Sequence, residues 1–154
     1  MSLAEPVRLA EGQVAASGAV LARALADDPI FTHALSDPGE RERLMPPFMT
    51  AWTRYGLLFG VVDVTAGPVE ASAIWLPPAA AIRRTEERSE QAGLTAVLSA
   101  FSDGARAHHH ARVQRMSRVR EAAPSVPHWY LPWIGVDPAR QGLGLGSLLL
   151  RAGL

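Results

Sequence analysis

Apolar residues recur at helical spacing in two segments of the N-terminal half. The first runs from residue 13 to residue 26 and ends at Asp27-Asp28-Pro29, where proline cannot continue a helix. The second runs from residue 40 to residue 58 and carries a helical row of large apolar side chains at Leu44, Phe48, Trp52 and Tyr55. Pro46-Pro47 removes two N–H donors from this helix, so we expect it to kink there or to lose its first turn.

Two strand-like runs follow these helices. Residues 59–65 and 69–76 are apolar and rich in β-branched residues, and Ala66-Gly67-Pro68 between them predicts a hairpin turn. A short alternating run at residues 6–10 predicts an earlier strand, and a further strand begins at His128. The strands are therefore spread along the chain and separated by helices.

The segment between the hairpin and His128 is long and charged. Residues 82–123 are free of proline and are broken only by Gly93 and Ser102-Asp103-Gly104, so we expect an inserted helical pair at residues 79–126. The resulting order is β-α-α-β-β-α-α-β-α. It mixes antiparallel strands with helices and predicts an α+β or α/β sandwich around one sheet. A length of 154 residues fits a single domain, residues 1–154.

A glycine-rich stretch near the end of the chain carries the clearest chemical signal. A strand passes through Val136-Asp137-Pro138, reaches a loop with glycine at every second position, and leads into an apolar helix. Glycines leave the loop N–H groups unshielded, and the following helix directs its positive dipole end to the same place. We therefore expect a phosphate there. The alternatives are a turn that only needs positive φ, and a dinucleotide-binding loop, whose last glycine is replaced by Ser147.

This stretch resembles the Q/R-x-x-G-x-G/A signature of the GNAT superfamily of acyl-CoA-dependent N-acyltransferases. Gln141, Gly144 and Gly146 occupy the three defining positions. Residues 26–31, 73–78 and 127–131 resemble one bacterial subgroup of that superfamily, so the resemblance covers nearly the whole chain. It implies a twisted mixed sheet flanked by helices, with acetyl-CoA as cosubstrate. It also implies direct transfer of the acetyl group, in a ternary complex, to an amine of a small molecule or peptide.

The resemblance also implies residue roles. Backbone groups of Ile134, Gly135 and Val136 would bind the pantetheine arm of acetyl-CoA. The pyrophosphate would be held by the loop and the first helical turn, which comprise Gln141, Gly142, Leu143, Gly144, Leu145, Gly146 and Ser147. Pro132 inside the strand is consistent with the bulge that this family carries there.

Candidates for the amine half of the site are less specific. His128 is the best candidate for the general base by its position at the start of the key strand, and Glu70 is a weaker one. As alternatives, His128 caps the strand or faces solvent. An acceptor pocket would be lined by the aromatic residues Trp75, Trp129, Tyr130 and Trp133, although large aromatics at strand spacing also serve as core.

Composition limits the kinds of ligand and partner that we expect. The net charge is zero and cysteine is absent, which argues against nucleic-acid binding and thiolate metal sites and fits a reducing, cytoplasmic compartment. No apolar run is long enough for a membrane span. His108-His109-His110 cannot converge on one ion from a helix, so we expect no metal. Arg112, Arg115 and Arg118 predict a solvated basic stripe, with contact to the phosphates of acetyl-CoA as the alternative.

The sequence after the glycine-rich motif is shorter than in the family that the chain resembles. Eight residues follow Gly146, whereas the family continues with further strands and helices that complete the cofactor site. We therefore expect a chain truncated after the pyrophosphate-binding motif, a second chain or homodimer that completes the sheet, or a non-catalytic acyl-CoA-binding or protein-interaction module. Soluble proteins avoid an unpaired, aromatic-rich sheet edge, and of the three explanations we expect the first.

Overall fold

A computed structural model describes residues 4–78, 85–122 and 126–153. Within these ranges the chain forms four strands and seven α-helices, with 3₁₀ turns at Glu11–Gln13 and Pro138–Arg140. In chain order the elements are β1 (Val7–Arg8), α1 (Val14–Leu25), α2 (Pro29–Ala34), α3 (Pro38–Phe59), β2 (Val61–Val64), β3 (Ala71–Leu76), α4 (Glu86–Gln91), α5 (Leu94–Ser99), α6 (Asp103–Ala122), β4 (Tyr130–Val136) and α7 (Leu145–Gly153). The predicted α/β sandwich is confirmed.

The four strands form one sheet in the order β1-β2-β3-β4. All three pairings are antiparallel, so the described strands include no parallel pair of the mixed sheet that the resemblance implies. The predicted hairpin joins β2 to β3, and Gly67 supplies the positive φ of 80° that the turn requires. Because β1 and β4 lie at the two ends of this order, β4 has a partner strand on one side only among the described residues.

One face of the sheet is covered by α1 and α3. The predicted row Leu44, Phe48, Trp52 and Tyr55 is buried there. A single helix runs from Pro38 through both prolines, so the first turn is not split off. Pro46 and Pro47 are themselves exposed, while Met45, Phe48 and Met49 beside them are buried. Packing of the buried side chains therefore holds the helix together where two backbone hydrogen bonds are missing.

The opposite face of the sheet is covered by α7. Leu145 and Leu149 of α7 are buried against Ala71, Ala73 and Trp75 of β3. The end of α7 comes so close to Trp75 that a Cβ placed on Gly153 would lie 2.2 Å from the indole ring. The last helix of the chain is therefore packed tightly onto the sheet.

The inserted segment differs from the predicted helical pair. It contains α4, α5 and α6, which is one helix more than predicted, in the described part of residues 79–126; residues 79–84 and 123–125 lie outside the described ranges. Gly93 separates α4 from α5 because its φ of 83° cannot belong to a helix. No helix in the described part of the chain combines the length and apolar character needed to cross a membrane.

Candidate functional site

Strand β4 contains a bulge at the predicted proline. Trp133 pairs with Ile74 and Tyr130 pairs with Leu76, so three steps along β4 match two steps along β3. The extra residue lies in the Leu131-Pro132 segment, where proline's missing N–H removes no ladder hydrogen bond. The bulge expected from Pro132 is therefore confirmed.

The free edge of β4 presents backbone groups at alternate residues. The N–H of Asp137 donates to the carbonyl of Glu70 at 2.8 Å. Hydrogen-bonded pairs alternate along an antiparallel ladder, so Gly135 pairs with β3 while the backbone groups of Ile134 and Val136 point away from it. Of the three predicted pantetheine contacts, Ile134 and Val136 are thus placed at the open edge and Gly135 is not.

Gly135 serves a different purpose in the structure. A Cβ at this position would lie 2.7 Å from the Cβ of Ala24 and 3.1 Å from a methyl group of Leu21. Helix α1 can therefore approach β4 closely only because residue 135 has no side chain.

The glycine-rich loop ends at the N-terminus of α7. Gly142 and Gly144 have φ values of 80° and 82°. The carbonyl of Gly144 accepts the N–H of Leu148 at 3.0 Å, which makes Gly144 the N-cap residue of the helix. Because glycine has no side chain to cap the first turn, the N–H groups of Leu145, Gly146 and Ser147 remain available to a ligand.

Burial around the loop fits this arrangement. Leu145 is buried and anchors the loop against the sheet. Gln141, Gly142, Leu143 and Gly144 are exposed, as is Ser147 in the first turn. The side-chain amide of Gln141 donates to the carbonyl of Val136 at 3.3 Å, which ties the loop to the open edge of β4. Loop and edge therefore form one continuous surface.

Asp137 fixes the direction in which the chain leaves β4. Its carboxylate accepts the N–H of Ala139 at 3.1 Å and the Nε–H of Arg23 at 3.0 Å. The Arg23 hydrogen bond, aided by that of Ala139, holds the pKa of Asp137 below its usual value. One turn later, Arg140 forms an ion pair with Glu70 at 2.9 Å. Glu70, the weaker base candidate, is thus engaged in holding the loop to the sheet.

The four aromatic residues predicted to line an acceptor pocket do not converge. Trp75 lies under α7 on one face of the sheet, and Trp133 is buried on the other face against Phe31 at a ring-centroid distance of 5.2 Å. Tyr130 is partly buried on the same face as Trp133, and Trp129 is 53% exposed. The register of β3 and β4 divides the two buried tryptophans, because Trp133 pairs with Ile74 and Trp75 is the next residue along β3. The bulge then puts Tyr130 on the same face as Trp133 although they are three residues apart.

His128 lies outside β4, on the exposed segment that leads into it. Its Nδ1 is 2.8 Å from the carbonyl oxygen of Val126. A carbonyl can only accept a hydrogen bond, so Nδ1 must carry a proton in this contact, and the neutral ring keeps its basic lone pair on Nε2. The side chain therefore faces solvent with its proton-accepting nitrogen unburied.

Two arginines approach β4 from α6. The sequence predicts that Arg112 lies in a solvated stripe, with contact to the phosphates of acetyl-CoA as the alternative, and it predicts no role for Arg120. The Cζ atom of Arg112 lies 5.8 Å from the centroid of the Trp133 ring, and that of Arg120 lies 4.4 Å from the centroid of Tyr130. Their spacing of eight residues places them on one side of a helix, together with buried His109. The sequence alone could have shown that these residues share one helix face. It could not have shown which strand that face contacts, because β4 is separated from α6 along the chain.

The histidine run does not form a metal cluster. His109 is buried with its ring against Phe48 and Phe101, whereas His108 stacks on His33 at 4.6 Å. In the part of the chain that the structure describes, no group of three histidine, aspartate or glutamate residues is arranged to hold a metal ion.

A cleft of about 320 Å³ lies elsewhere, between α1 and the first half of α3. Its lining includes the oppositely charged side chains of Arg23, Arg41, Asp27 and Glu42, and none of the predicted site residues. Arg23 links this cleft to the end of β4 through Asp137.

The architecture has a counterpart among solved structures. A crystal structure from Corynebacterium glutamicum ATCC 13032, described as histone acetyltransferase HPA2 and related acetyltransferase, superimposes with a TM-score of 0.56. The two chains share a fold. They are 19% identical, and the match covers 99% of this chain and 70% of the other. No protein-family model matches the chain.

Proposed function

We propose that this chain binds acetyl-CoA and that the protein transfers the acetyl group to an amine. One observation carries the proposal: the outward backbone groups of Ile134 and Val136 are continuous with an uncapped helix N-terminus at Gly144. Acetyl-CoA has an extended, amide-containing arm followed by a diphosphate. The arm would pair with the strand edge, and the diphosphate would bind at the helix N-terminus. The acetyltransferase fold of the structural neighbour supports the same reaction class.

The residues present fit this ligand. The N–H groups from Gly142 to Ser147 are suited to bind the pyrophosphate, because positive φ at Gly142 and Gly144 turns the loop without side chains in the way. The backbone groups of Ile134 and the N–H of Val136, whose carbonyl already accepts the Gln141 amide, are suited to pair with the pantetheine amides as a neighbouring strand would. Acetyl-CoA supplies an activated acyl thioester when bound.

The amine must lose a proton before it can attack. With a pKa near 10.4, about one amine in 2,500 is neutral at pH 7, a handicap of about 4.6 kcal/mol. His128 is our candidate proton acceptor, since its exposed ring presents Nε2 to solvent near the start of β4. No covalent enzyme intermediate is required, which suits a chain without cysteine.

A non-catalytic acyl-CoA-binding module is the second candidate. It is favoured by the division of the four aromatics between two faces of the sheet, which leaves the predicted acceptor pocket unformed in the described residues. Such a module would bind acetyl-CoA through the same loop without transferring its acetyl group. Turnover with a panel of amines separates the two candidates.

The test is acetyl-CoA binding by calorimetry with a matched pair of glycine variants. Gly142 and Gly67 both have φ near 80°, and a Cβ at either would meet no atom within 4 Å. Gly142→Ala and Gly67→Ala should therefore strain the backbone equally, by about 1–2 kcal/mol. We expect only Gly142→Ala to weaken acetyl-CoA binding, by about tenfold.

Two results would contradict the proposal. If the wild-type chain does not bind acetyl-CoA at millimolar concentration, the site is not an acyl-CoA site. If the two variants bind equally, binding takes place away from the glycine-rich loop.

A further inference from the structure

Helix α6 is covered by the rest of the molecule along only half of its length. In the N-terminal half, Ala105 and His109 are buried. From residue 114 to residue 122 every residue is exposed. The C-terminal half therefore lies on the surface, where the Cζ atom of Arg120 is 4.4 Å from the centroid of the Tyr130 ring at the start of β4.

The apolar face of α6 continues onto this exposed half. At about 100° per residue, Met116 and Val119 lie within about 80° of the two buried residues around the helix axis. Met116 is nevertheless 36% exposed, and Val119 is 59% exposed. The face that packs against the core at one end of the helix is therefore uncovered at the other end.

Two more large apolar side chains are exposed at the same end of the helix. Val126 is 68% exposed and Trp129 is 53% exposed. They belong to the segment that leads into β4, and Tyr130, the residue after Trp129, is the one that Arg120 contacts. These four exposed side chains are called the apolar ridge below: Met116, Val119, Val126 and Trp129.

Positive charge borders the apolar ridge. Arg115 and Arg118 lie about 40° and about 100° from Val119 around the helix axis, and both are exposed. Neither forms an ion pair with another residue of the described ranges. Glu121 lies about 160° from Val119, on the other side of the helix. In a chain without net charge, the ridge thus has a local positive border.

This combination of shape and charge selects among three kinds of partner. A second copy of the chain would bring the same surface against itself, so that Arg115 and Arg118 of the two copies would repel one another. A helical peptide needs a groove, whereas a helix end that is exposed along its whole length is convex. An anionic bilayer carries negative headgroups, and its interfacial region accepts an indole ring and apolar side chains from an exposed helix.

We propose that the apolar ridge binds the surface of an anionic lipid bilayer. Arg115 and Arg118 would contact the phosphate and carboxylate groups of the headgroups, while the apolar side chains enter the boundary between headgroups and acyl chains. The glycine-rich loop lies at the opposite end of β4, so this contact leaves the loop accessible. The inference is independent of the proposed acetyl transfer.

The test measures binding of the whole chain to vesicles of phosphatidylcholine, with and without about one-third phosphatidylserine. Cosedimentation gives the bound fraction. Fluorescence reports the environment of Trp129, because the other three tryptophans are at most 7% exposed. We expect about tenfold tighter binding to the anionic vesicles, with a blue shift of the emission. Added salt should weaken this binding, since both arginines are exposed.

Two variants at the ridge and two matched controls on α3 locate the contact. Val119→Ser and Arg118→Ala should each weaken binding to the anionic vesicles about fivefold. Leu58 is 52% exposed and Arg43 is exposed, so Leu58→Ser and Arg43→Ala remove the same kinds of side chain from another surface. These controls should change binding by less than about twofold. Because all four positions are exposed, none of the substitutions should unfold the chain.

Three results would overturn the inference. Equal binding to neutral and anionic vesicles would leave the arginines without a role. Equal losses in the ridge variants and the α3 controls would place the contact elsewhere. If neither kind of vesicle binds, the ridge is not a lipid-binding surface, and binding of a peptide rich in leucine and glutamate that Val119→Ser weakens would identify a protein partner instead. None of these results depends on whether acetyl-CoA binds at the glycine-rich loop.

Discussion

The two ends of β4 are built in different ways. At the C-terminal end, Val136, Gln141 and Gly144 lie within nine residues of one another, and the site consists of backbone groups, a glycine N-cap and one amide hydrogen bond. At the N-terminal end, side chains from α2, α6 and β4 come together around Trp133. A local, backbone-made site depends on the order of residues, whereas a side-chain site depends on how distant elements pack.

The comparison of the two ends of β4 predicts that the largest effect on stability comes from a change at Trp133. Trp133→Ala removes a ring that is 7% exposed and contacts Phe31, Phe48 and Trp52 at centroid distances of 5.2, 6.5 and 5.9 Å. We expect the free energy of unfolding to fall by about 3–5 kcal/mol, the usual cost of such a cavity. Urea denaturation followed by circular dichroism measures it.

Trp129→Ala is the matched control, because this tryptophan is four residues earlier and 53% exposed. It should change the free energy of unfolding by no more than about 0.5 kcal/mol. Similar losses in the two variants would mean that the N-terminal end of β4 is not the core region described above.

The same comparison explains what could be predicted from the sequence. The strand, the glycine-rich loop and the helix after it were predicted correctly, because each depends on residues close together in the chain. Pro132 correctly indicated the bulge for the same reason. The buried row of α3 followed from helical spacing alone.

Long-range features were not predicted. The assignment of Trp75 and Trp133 to one pocket failed because the bulge and the sheet pairing decide which face each ring takes. The contacts of Arg112 and Arg120 depend on α6 packing against α2, which no local pattern encodes. The third helix of the insertion is a different case, because Gly93 is visible in the sequence as a break but was not counted as a boundary between two helices.

A second prediction concerns the proton acceptor near the N-terminal end. His128→Ala should lower kcat for acetyl transfer by about 100-fold, the lower end of what general-base catalysis contributes. Steady-state kinetics with a saturating amine measures the effect.

Glu70→Gln is the control for His128, since Glu70 is ion-paired with Arg140 and takes no proton in the proposed reaction. It should leave kcat unchanged. An unaltered kcat in His128→Ala would remove His128 from the reaction and point to water as the base.

The smallest effect is expected at the C-terminal end, where Asp137 joins β4 to the loop. Its pKa is lowered in the folded chain, first by the Arg23 hydrogen bond, so its contribution to stability is present above the unfolded pKa of about 3.9 and is lost as the pH falls through the lower folded value. Asp137→Asn keeps an acceptor for the N–H of Ala139 but loses the charge that Arg23 binds, so it should flatten the pH dependence of unfolding below about pH 4 and cost less than about 1 kcal/mol at pH 7. Asp28→Asn is the matched control, because it removes the charge of another carboxylate at the start of a helix, one that accepts the N–H of Ile30. If only Asp137→Asn also weakens acetyl-CoA binding, the loop depends on a side chain for its direction, and the C-terminal end of β4 is less purely a backbone site than its glycines indicate.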